Sequence, residues 1–309
     1  MKYCVIYNPH ARNGRARASA EHCLHRLARS GYAVDAREVR HFDEARSLSH
    51  EANRSGYDVV VAVGGDGTIN KVLNGFYDEE GRRNSRALFG VVHTGTSPDF
   101  CRSYDVPLDA DAAVDALIRA RTRRIPVGRV RFAESGGTSV PASCFVCCAN
   151  IGLGASLATR ANAGIRRRLG DTAGTLVSLL SLLRTYAPAD YLLRLDDVEV
   201  SWDRVYNISV GLTPWIASGI RIDNSTMTAA GRFYVMVLRD VRIRSLPGVL
   251  RKLYSGKSFP DSDTLFVRDC AEIAIPSRET AADVEHDGDP VGTVPCTIGR
   301  TVDDLELIY

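Results

Sequence analysis

The stretch Asp58 to Asn70, Asp-Val-Val-Val-Ala-Val-Gly-Gly-Asp-Gly-Thr-Ile-Asn, restricts the folds open to this chain more than any other. Val59 to Val63 is continuously apolar and mostly β-branched, the pattern of a strand buried on both faces of a parallel sheet. Gly64, Gly65 and Gly67 follow at once. They make a turn that tolerates positive φ and carries no side chains to fend off a ligand. Behind it, Ile69 to Phe76 is predicted to open a helix. A strand, a glycine turn and a helix N-terminus form an anion cradle, because free backbone N–H groups and the positive end of the helix dipole coincide there.

The flanking segments alternate in type. Strands are predicted at Lys2 to Tyr7, Tyr32 to Val39 and Leu88 to Val92, and helices at about Ala16 to Ser30, Asp43 to Ser55 and Asp109 to Ala120. This alternation implies a doubly wound parallel sheet. Ser97, Pro98 and Asp99 read as N-cap, N1 and N2 of a further helix, so two helix N-termini beside glycine turns converge on one edge of the sheet. Asn8 and Pro9 follow the first strand, where open α/β sheets bind ligands, and Arg12, Arg15 and Arg17 are near enough in sequence to meet phosphate. A solvated turn with a basic first helical turn fits that segment equally well.

Beyond Arg124 strands dominate: Gly128 to Ala133, Ala142 to Ala149, Asp190 to Leu195, Val205 to Val210, Gly231 to Leu238, Asp269 to Ile275, and a final set ending at Tyr309. These predict a β-rich sandwich or barrel with two inserted helices, Thr172 to Tyr186 and Leu246 to Tyr254. The division expected is an α/β nucleotide-binding domain over residues 1–126 and a β-sandwich domain over 127–296.

The 309 residues carry a net charge of +2, which gives no basis for a nucleic-acid partner. No run approaches the roughly 18 apolar residues of a membrane span and no signal core opens the chain, so a cytoplasmic protein is expected. Arg166 to Arg168 precede the apolar Leu176 to Leu183, and Arg242 and Arg244 flank Leu246 to Lys257, a pattern suited to peripheral contact with an anionic membrane. Two helices packing inward with arginines in water explain it somewhat better. Cys144-Phe-Val-Cys147-Cys148 contains a C-x-x-C, but without a second pair at zinc spacing it reads as small hydrophobes in one strand, with Cys144 and Cys148 on one face.

Asn8-Pro9 with Gly14, Gly64-Gly65-Asp66-Gly67-Thr68-Ile69-Asn70, Gly95-Thr96, Asp99-Phe100 with Arg102 and Pro107, Asn150-Ile-Gly-Leu-Gly154 and Asp287-Gly288-Asp289 occur in order along nearly the whole chain. Together they resemble the diacylglycerol kinase catalytic-domain family, which includes bacterial lipid kinases and sphingosine or ceramide kinases. The resemblance implies an α/β nucleotide domain plus a β-sandwich domain, an active site in the cleft between them, and a chain end, about residues 297–309, packed back on the first domain. It also implies an ATP-dependent kinase using Mg²⁺, acting on a hydroxyl of a lipid or lipid-like alcohol; a homodimer is a further expectation.

In such a site the Gly64, Gly65, Gly67 and Thr68 backbone would hold phosphate, with Asn8, Pro9, Gly95, Thr96 and Asp289 as further nucleotide contacts. Asp66 would face Mg²⁺ or the acceptor hydroxyl, since a bare carboxylate repels phosphate; Asp99 and Asp289 are the other acidic candidates, Asp289 also for the metal. The departures from the family pattern fall on the acceptor side. His93 and Pro98 stand where the pattern has Pro and Asn, Pro126 stands where a base Asp is common, and Ala229-Ala230-Gly231 replaces an Asp-Asp-Gly linked to structural Mg²⁺. The final acidic residue, Asp289, is one methylene shorter than the usual Glu. Asp66, Asp99 or His93 would then take the catalytic positioning role, the alternatives being a nucleotide-binding pseudokinase or regulatory module, or a kinase for a non-lipid alcohol.

Overall fold

The computed structural model describes residues 1–9, 14–41, 43–133, 141–160, 186–217, 219–223, 227, 230–242, 246–255, 261–276 and 282–309. The chain divides into two compact units. One comprises Met1–Val127, Cys144–Val146 and Thr301–Tyr309, and the other Gly128–Ser143 and Cys147–Arg300.

In the first unit β1 (Lys2–Tyr7), β2 (Ala33–Glu38), β3 (Val59–Gly64), β4 (Leu88–His93) and β5 (Thr122–Ile125) share one sheet with the C-terminal strand Leu305–Ile308. The order is β2-β1-β3-β4, then the C-terminal strand, then β5. All neighbours are parallel except β5, which runs antiparallel to the C-terminal strand. Every residue of β3 is buried, as expected for a valine-rich strand covered on both faces. The helices are α1 (Arg15–Arg29), α2 (Glu44–Arg54), α3 (Asp66–Asn74), α4 (Asp99–Ser103) and α5 (Ala110–Arg119). Ala20, Cys23 and Leu27 of α1 and Val114 and Leu117 of α5 pack on Tyr3, Val5 and Val61 of the sheet. Gly75, just past α3, lets that helix meet α2 closely, since a Cβ there would lie 2.4 Å from Ser49 Cβ and 2.6 Å from the Arg46 carbonyl.

The second unit is built from β6 (Gly128–Phe132), β7 (Ser143–Phe145), which straddles the division of the chain, β8 (Cys148–Gly152), β9 (Ala189–Leu195), β10 (Val198–Gly211), β11 (Trp215–Ile216), β12 (Ile220–Arg221), β13 (Phe233–Arg239), β14 (Leu265–Cys270), β15 (Ile273–Ile275), β16 (Asp283–His286), β17 (Asp289–Thr293) and β18 (Cys296–Arg300). Antiparallel strands run in the order β17-β16-β8-β10-β9-β15-β18-β6, with β13 pairing both β10 and β14. The first half of β10 pairs with β9 and the second half with β8 and β13. Irregular register between Trp202 and Asn207, with Arg204 at φ 52°, lets this one strand turn the corner between them. Two helices are described, α6 (Leu153–Arg160) and α7 (Leu246–Leu253).

Two predicted strands are each split by one device. The run Ala142 to Ala149 breaks into β7 and β8 because Asp287 Oδ1 accepts from the backbone N–H groups of Cys147 and Cys148, at 3.0 and 3.1 Å. The run Asp269 to Ile275 breaks because Asp196 Oδ1 accepts from Ala271 N and Glu272 N, at 2.7 and 3.0 Å. Each aspartate sits in a hairpin turn at positive φ, 50° for Asp287 and 52° for Asp196, and takes donors that a ladder would otherwise use. Cys144 and Cys148 therefore do not share a strand face. All eight cysteines are free and buried.

The segments 166–168 and 176–183, the Thr172 to Tyr186 helix but for Tyr186, and residues 244 and 256–257 lie outside the described residues. Val249 and Leu253 of α7 pack with Ile216, Ile220, Ile222, Tyr234 and Met236, so they are covered by protein, while Arg251 and Lys252 are exposed. Among the described residues no helix is long and apolar enough to cross a membrane.

Candidate functional site

The order β2-β1-β3-β4 puts the switch point of the sheet between β1 and β3, the place where doubly wound folds bind ligands. Asn8, Gly65 and Thr94 follow the carboxyl ends of β1, β3 and β4 there. Helix α3 begins at Asp66, three residues earlier than predicted, with Gly65 as an extended N-cap at φ −87°, ψ −178°. The N–H groups of Asp66, Gly67 and Thr68 belong to the first turn, which has no intrahelical acceptors.

The glycines of this turn are not there for positive φ, contrary to expectation: none of Gly64, Gly65 and Gly67 adopts it. Close approach is the reason for two of them. A Cβ on Gly64 would lie 2.5 Å from Thr68 Cβ, and one on Gly65 would lie 3.2 Å from the Cα of Gly95. Across the contact, a Cβ on Gly95 would lie 2.7 Å from the Cα of Gly65. Thr94 N donates to the Gly64 carbonyl at 2.8 Å, extending the β3–β4 ladder to the two turns.

Pro98 is the N-cap of α4 and not its N1 residue, and the helix is only five residues long. Phe100 anchors it between Phe89 and Tyr104, with ring centroids 6.3 and 5.3 Å away. Asp99 is buried, and Ser97 Oγ donates to its Oδ2 at 3.3 Å.

Asp66, His93 and Asp99 come together in the first unit. Asp66 keeps 21% side-chain exposure, but its Oδ1 is buried with no hydrogen-bond partner among the described residues. His93 Nε2 is 3.5 Å away, at the outer limit of such a bond, and 3.2 Å from the Ser97 carbonyl oxygen. Burial pushes the Asp66 carboxyl above the usual carboxylate range, His93 opposes that, and the nearby Asp99 charge adds to it. Among the described residues no group of three or more His, Cys, Asp or Glu could hold a metal unaided.

The remaining candidates divide. Asn8 is half-buried, Pro9 buried and Thr96 exposed. Thr94, which sequence reasoning passed over, has its hydroxyl buried beside the same turn with no partner among the described residues. Only its place after an apolar strand could have marked it. Arg17 pairs with Glu38 at 3.2 Å, Arg15 is exposed, and Arg12 lies outside the described residues. Asn70, from the glycine-turn motif, donates to the Cys144 carbonyl at 3.0 Å, and Asn74 brackets the same residue, accepting from its N–H at 2.7 Å and donating to its carbonyl at 2.9 Å.

Asp289 belongs to the second unit as the first residue of β17, half-buried. Asp287 is committed to Cys147 and Cys148. Glu285, unmarked in the sequence, is buried; Asn150 Nδ2 donates to its Oε1 and Gly288 N to its Oε2, the latter at 2.8 Å. Burial pushes its carboxyl up to about 8 in spite of these donors. Ser209 Oγ and Asn207 Nδ2 donate to Asn150 Oδ1, the first at 2.5 Å and the second at 3.3 Å, and Asn207 Oδ1 accepts from Gly154 N at 2.7 Å. Gly152 and Gly154 serve this packing, since Cβ atoms would lie 2.8 Å from the Tyr206 carbonyl and 2.9 Å from Asn207 Oδ1.

A doubly wound unit with a glycine turn at its switch point, followed by an antiparallel sandwich, defines a class of two-unit α/β plus β proteins. Two family models match this chain: "Diacylglycerol kinase catalytic domain" over residues 2–130, and "YegS C-terminal NAD kinase beta sandwich-like domain" over residues 148–308, more than half of the chain. The chain belongs to the diacylglycerol kinase catalytic-domain family that these domains make up. It is 31% identical over 132 residues to a diacylglycerol kinase of Staphylococcus haemolyticus (strain JCSC1435), a match covering 42% of this chain and 39% of that protein. It is 30% identical over 126 residues to one of Staphylococcus aureus (strain MRSA252), covering 41% and 39%. A crystal structure of a diacylglycerol kinase from Bacillus anthracis str. Sterne superposes with a TM-score of 0.69 at 19% identity, covering 100% of this chain and 96% of that one. A second structure from that organism superposes at 0.75 with 20% identity, covering 100% and 95%, and at such identities the likeness establishes the fold.

Proposed function

We propose that this protein is an ATP-dependent lipid kinase that transfers the γ-phosphate to a hydroxyl of a lipid or lipid-like alcohol. The observation that carries the reading is the Asp66 carboxylate: partly buried, with Oδ1 shut from solvent and His93 Nε2 beside it only at 3.5 Å, at the first residue of a helix whose N-terminal turn abuts a second glycine turn. Nothing in the packing of a plain capping aspartate calls for a carboxylate oxygen shut away from water with so distant a donor. The kinase names of the matched relatives agree with this reading, although the match spans only 39% of their length.

In this scheme the backbone of Gly64 to Thr68, with Asn8, Pro9, Gly95 and Thr96, binds the phosphates. Asp66 faces the acceptor hydroxyl or Mg²⁺. Mg²⁺ is commonly held by one or two carboxylates plus substrate phosphates, and the Asp66 carboxylate beside the glycine turn, with its buried Oδ1, suits it as one such ligand. When bound, the ion supplies neutralisation of phosphate charge. Pro126 in place of a base does not rule out transfer, because a loose transition state asks little of a base. Peripheral contact with an anionic membrane through Arg242, Arg251 and Lys252 would bring the enzyme to a lipid acceptor.

The test is incubation of purified protein with γ-labelled ATP, Mg²⁺ and diacylglycerol in mixed micelles, read by mass spectrometry, followed by a wider lipid and polyol panel. A labelled phosphomonoester that Asp66→Asn abolishes is expected. Nucleotide bound without consumption across the panel would replace this reading by a regulatory one.

A further inference from the structure

We infer that His93 is a positioning residue for Asp66: its Nε2–H is shared between the Ser97 carbonyl and Asp66 Oδ1, so that Oδ2 is the carboxylate oxygen presented to the ligand. This rests on the kinase reading and deepens it.

The tautomer follows from the partners. A carbonyl oxygen only accepts, so the nitrogen 3.2 Å from Ser97 O carries the proton. The same nitrogen is the cation-side neighbour of Asp66 Oδ1 at 3.5 Å. It therefore cannot take a proton from an acceptor hydroxyl at that atom, and a base role for His93 through Nε2 is excluded. What remains is orientation.

The ring is held firmly enough for that work. Its side chain is 5% exposed. It lies against Gly95, where an added Cβ would stand 3.0 Å from Nε2 and 3.3 Å from Cε1. The Ser97 contact closes residues 93–97 into a loop around the ring, so one hydrogen ties the second glycine turn to the carboxylate at the start of α3. Oδ1 is sealed from solvent, so the 21% exposure that the Asp66 side chain keeps lies elsewhere on it, with Oδ2 the polar atom available.

In the pattern that the chain resembles, position 93 is proline, which offers no side-chain donor, so His93 is a departure from that pattern. It accompanies Pro98 and Pro126, which remove an amide and a carboxylate from neighbouring motif positions.

Two measurements test it together. In ¹⁵N-histidine NMR of the full chain, with the His93 signals assigned by their loss in His93→Gln, a proton on Nε2 and a shift of that resonance in Asp66→Asn are expected. A neutral Nδ1–H tautomer, or no response to Asp66→Asn, would overturn the inference whether or not the protein turns over substrate. In the micelle assay His93→Leu should lower kcat about 10- to 100-fold with the KM for ATP little changed, because misplacement of a reacting group by an ångström costs about that much. His93→Gln, whose amide nitrogen reaches the Nε2 position, should recover most of the loss. Equal loss in both variants, or a change confined to the KM for ATP, would reduce His93 to a packing residue. Absence of turnover in the wild type counts against the kinase reading alone, and the NMR result then decides the role of His93.

Discussion

A Cβ built on Gly95 stands 2.7 Å from the Cα of Gly65, so the two glycine turns meet through bare backbone. A methyl at Gly95 must push the loops apart, and overpacking of this kind costs roughly 1–3 kcal/mol. Gly95→Ala is expected to weaken ATP binding at least about tenfold and to lower the denaturation midpoint. Gly65→Ala, at 3.2 Å from its neighbour, should do less of both. Calorimetric titration with ATP and Mg²⁺ checks the order, and a larger effect at Gly65 would contradict the contact described.

Asp66→Asn separates chemistry from folding. Phosphoryl transfer depends chiefly on positioning and charge neutralisation, and misplacing a reacting group costs about 10²-fold, so a loss of transfer of at least that size is expected. Burial already works against the Asp66 charge, so an uncharged amide should not lower the melting temperature. A variant that melts well below wild type would point to a structural carboxylate.

Glu285 gives stability a pH dependence of definite sign. Its folded-state value of about 8 lies above the ordinary 4.5, so the folded protein retains a proton that the unfolded chain releases. The stability this contributes is complete below about 4.5 and is lost as pH rises to about 8, on the order of 1.4 kcal/mol per pH unit at most. Urea melts at pH 5, 6, 7 and 8 should show a declining ΔG that Glu285→Gln flattens. An unchanged slope in the variant would show that Glu285 is ionised throughout.

Asn74→Ala removes both polar partners that Asn74 offers the Cys144 backbone. Asn70 still donates to that carbonyl, whereas the buried N–H loses the acceptor at 2.7 Å. An orphaned buried donor costs about 1–3 kcal/mol, so a destabilisation near 2 kcal/mol is expected in equilibrium unfolding. An effect below about 0.5 kcal/mol would show that water takes the place of the amide.

The first unit was largely legible because its signals are local. Uninterrupted valines from Val59 to Val63 name a buried strand, and Asp109 heads α5 as its N-cap, accepting from Ala112 N at 3.0 Å. The glycine turn was located correctly for an incomplete reason, because the neighbour that excludes a Cβ from Gly65 is Gly95, thirty positions away in sequence. Strand breaks at Val146–Cys147 and Ala271–Glu272 were hidden because the aspartates that cause them, Asp287 and Asp196, lie far along the chain. Glu285 was hidden for a similar cause: it occupies a hairpin strand like any solvated glutamate, and its partner Asn150, itself held by Asn207 and Ser209, comes from a strand far away in sequence. Thr96 was named by motif and is exposed, while the hydroxyl of its neighbour Thr94, which no motif marks, is buried.

The strand Leu305–Ile308 lies between β4 and β5. During synthesis β1 to β5 leave the ribosome early, yet the strand that joins β4 to β5 emerges only after every residue of the second unit. Until then the outer edge of β4 offers unpaired N–H and C=O groups to any passing chain. Units of a chain generally fold in the order they are made, but the sheet of the earlier one is completed here by a strand made after the later. Loss of the last few residues would thus fall on the first unit, whose sheet it would leave open beside the strand that carries His93.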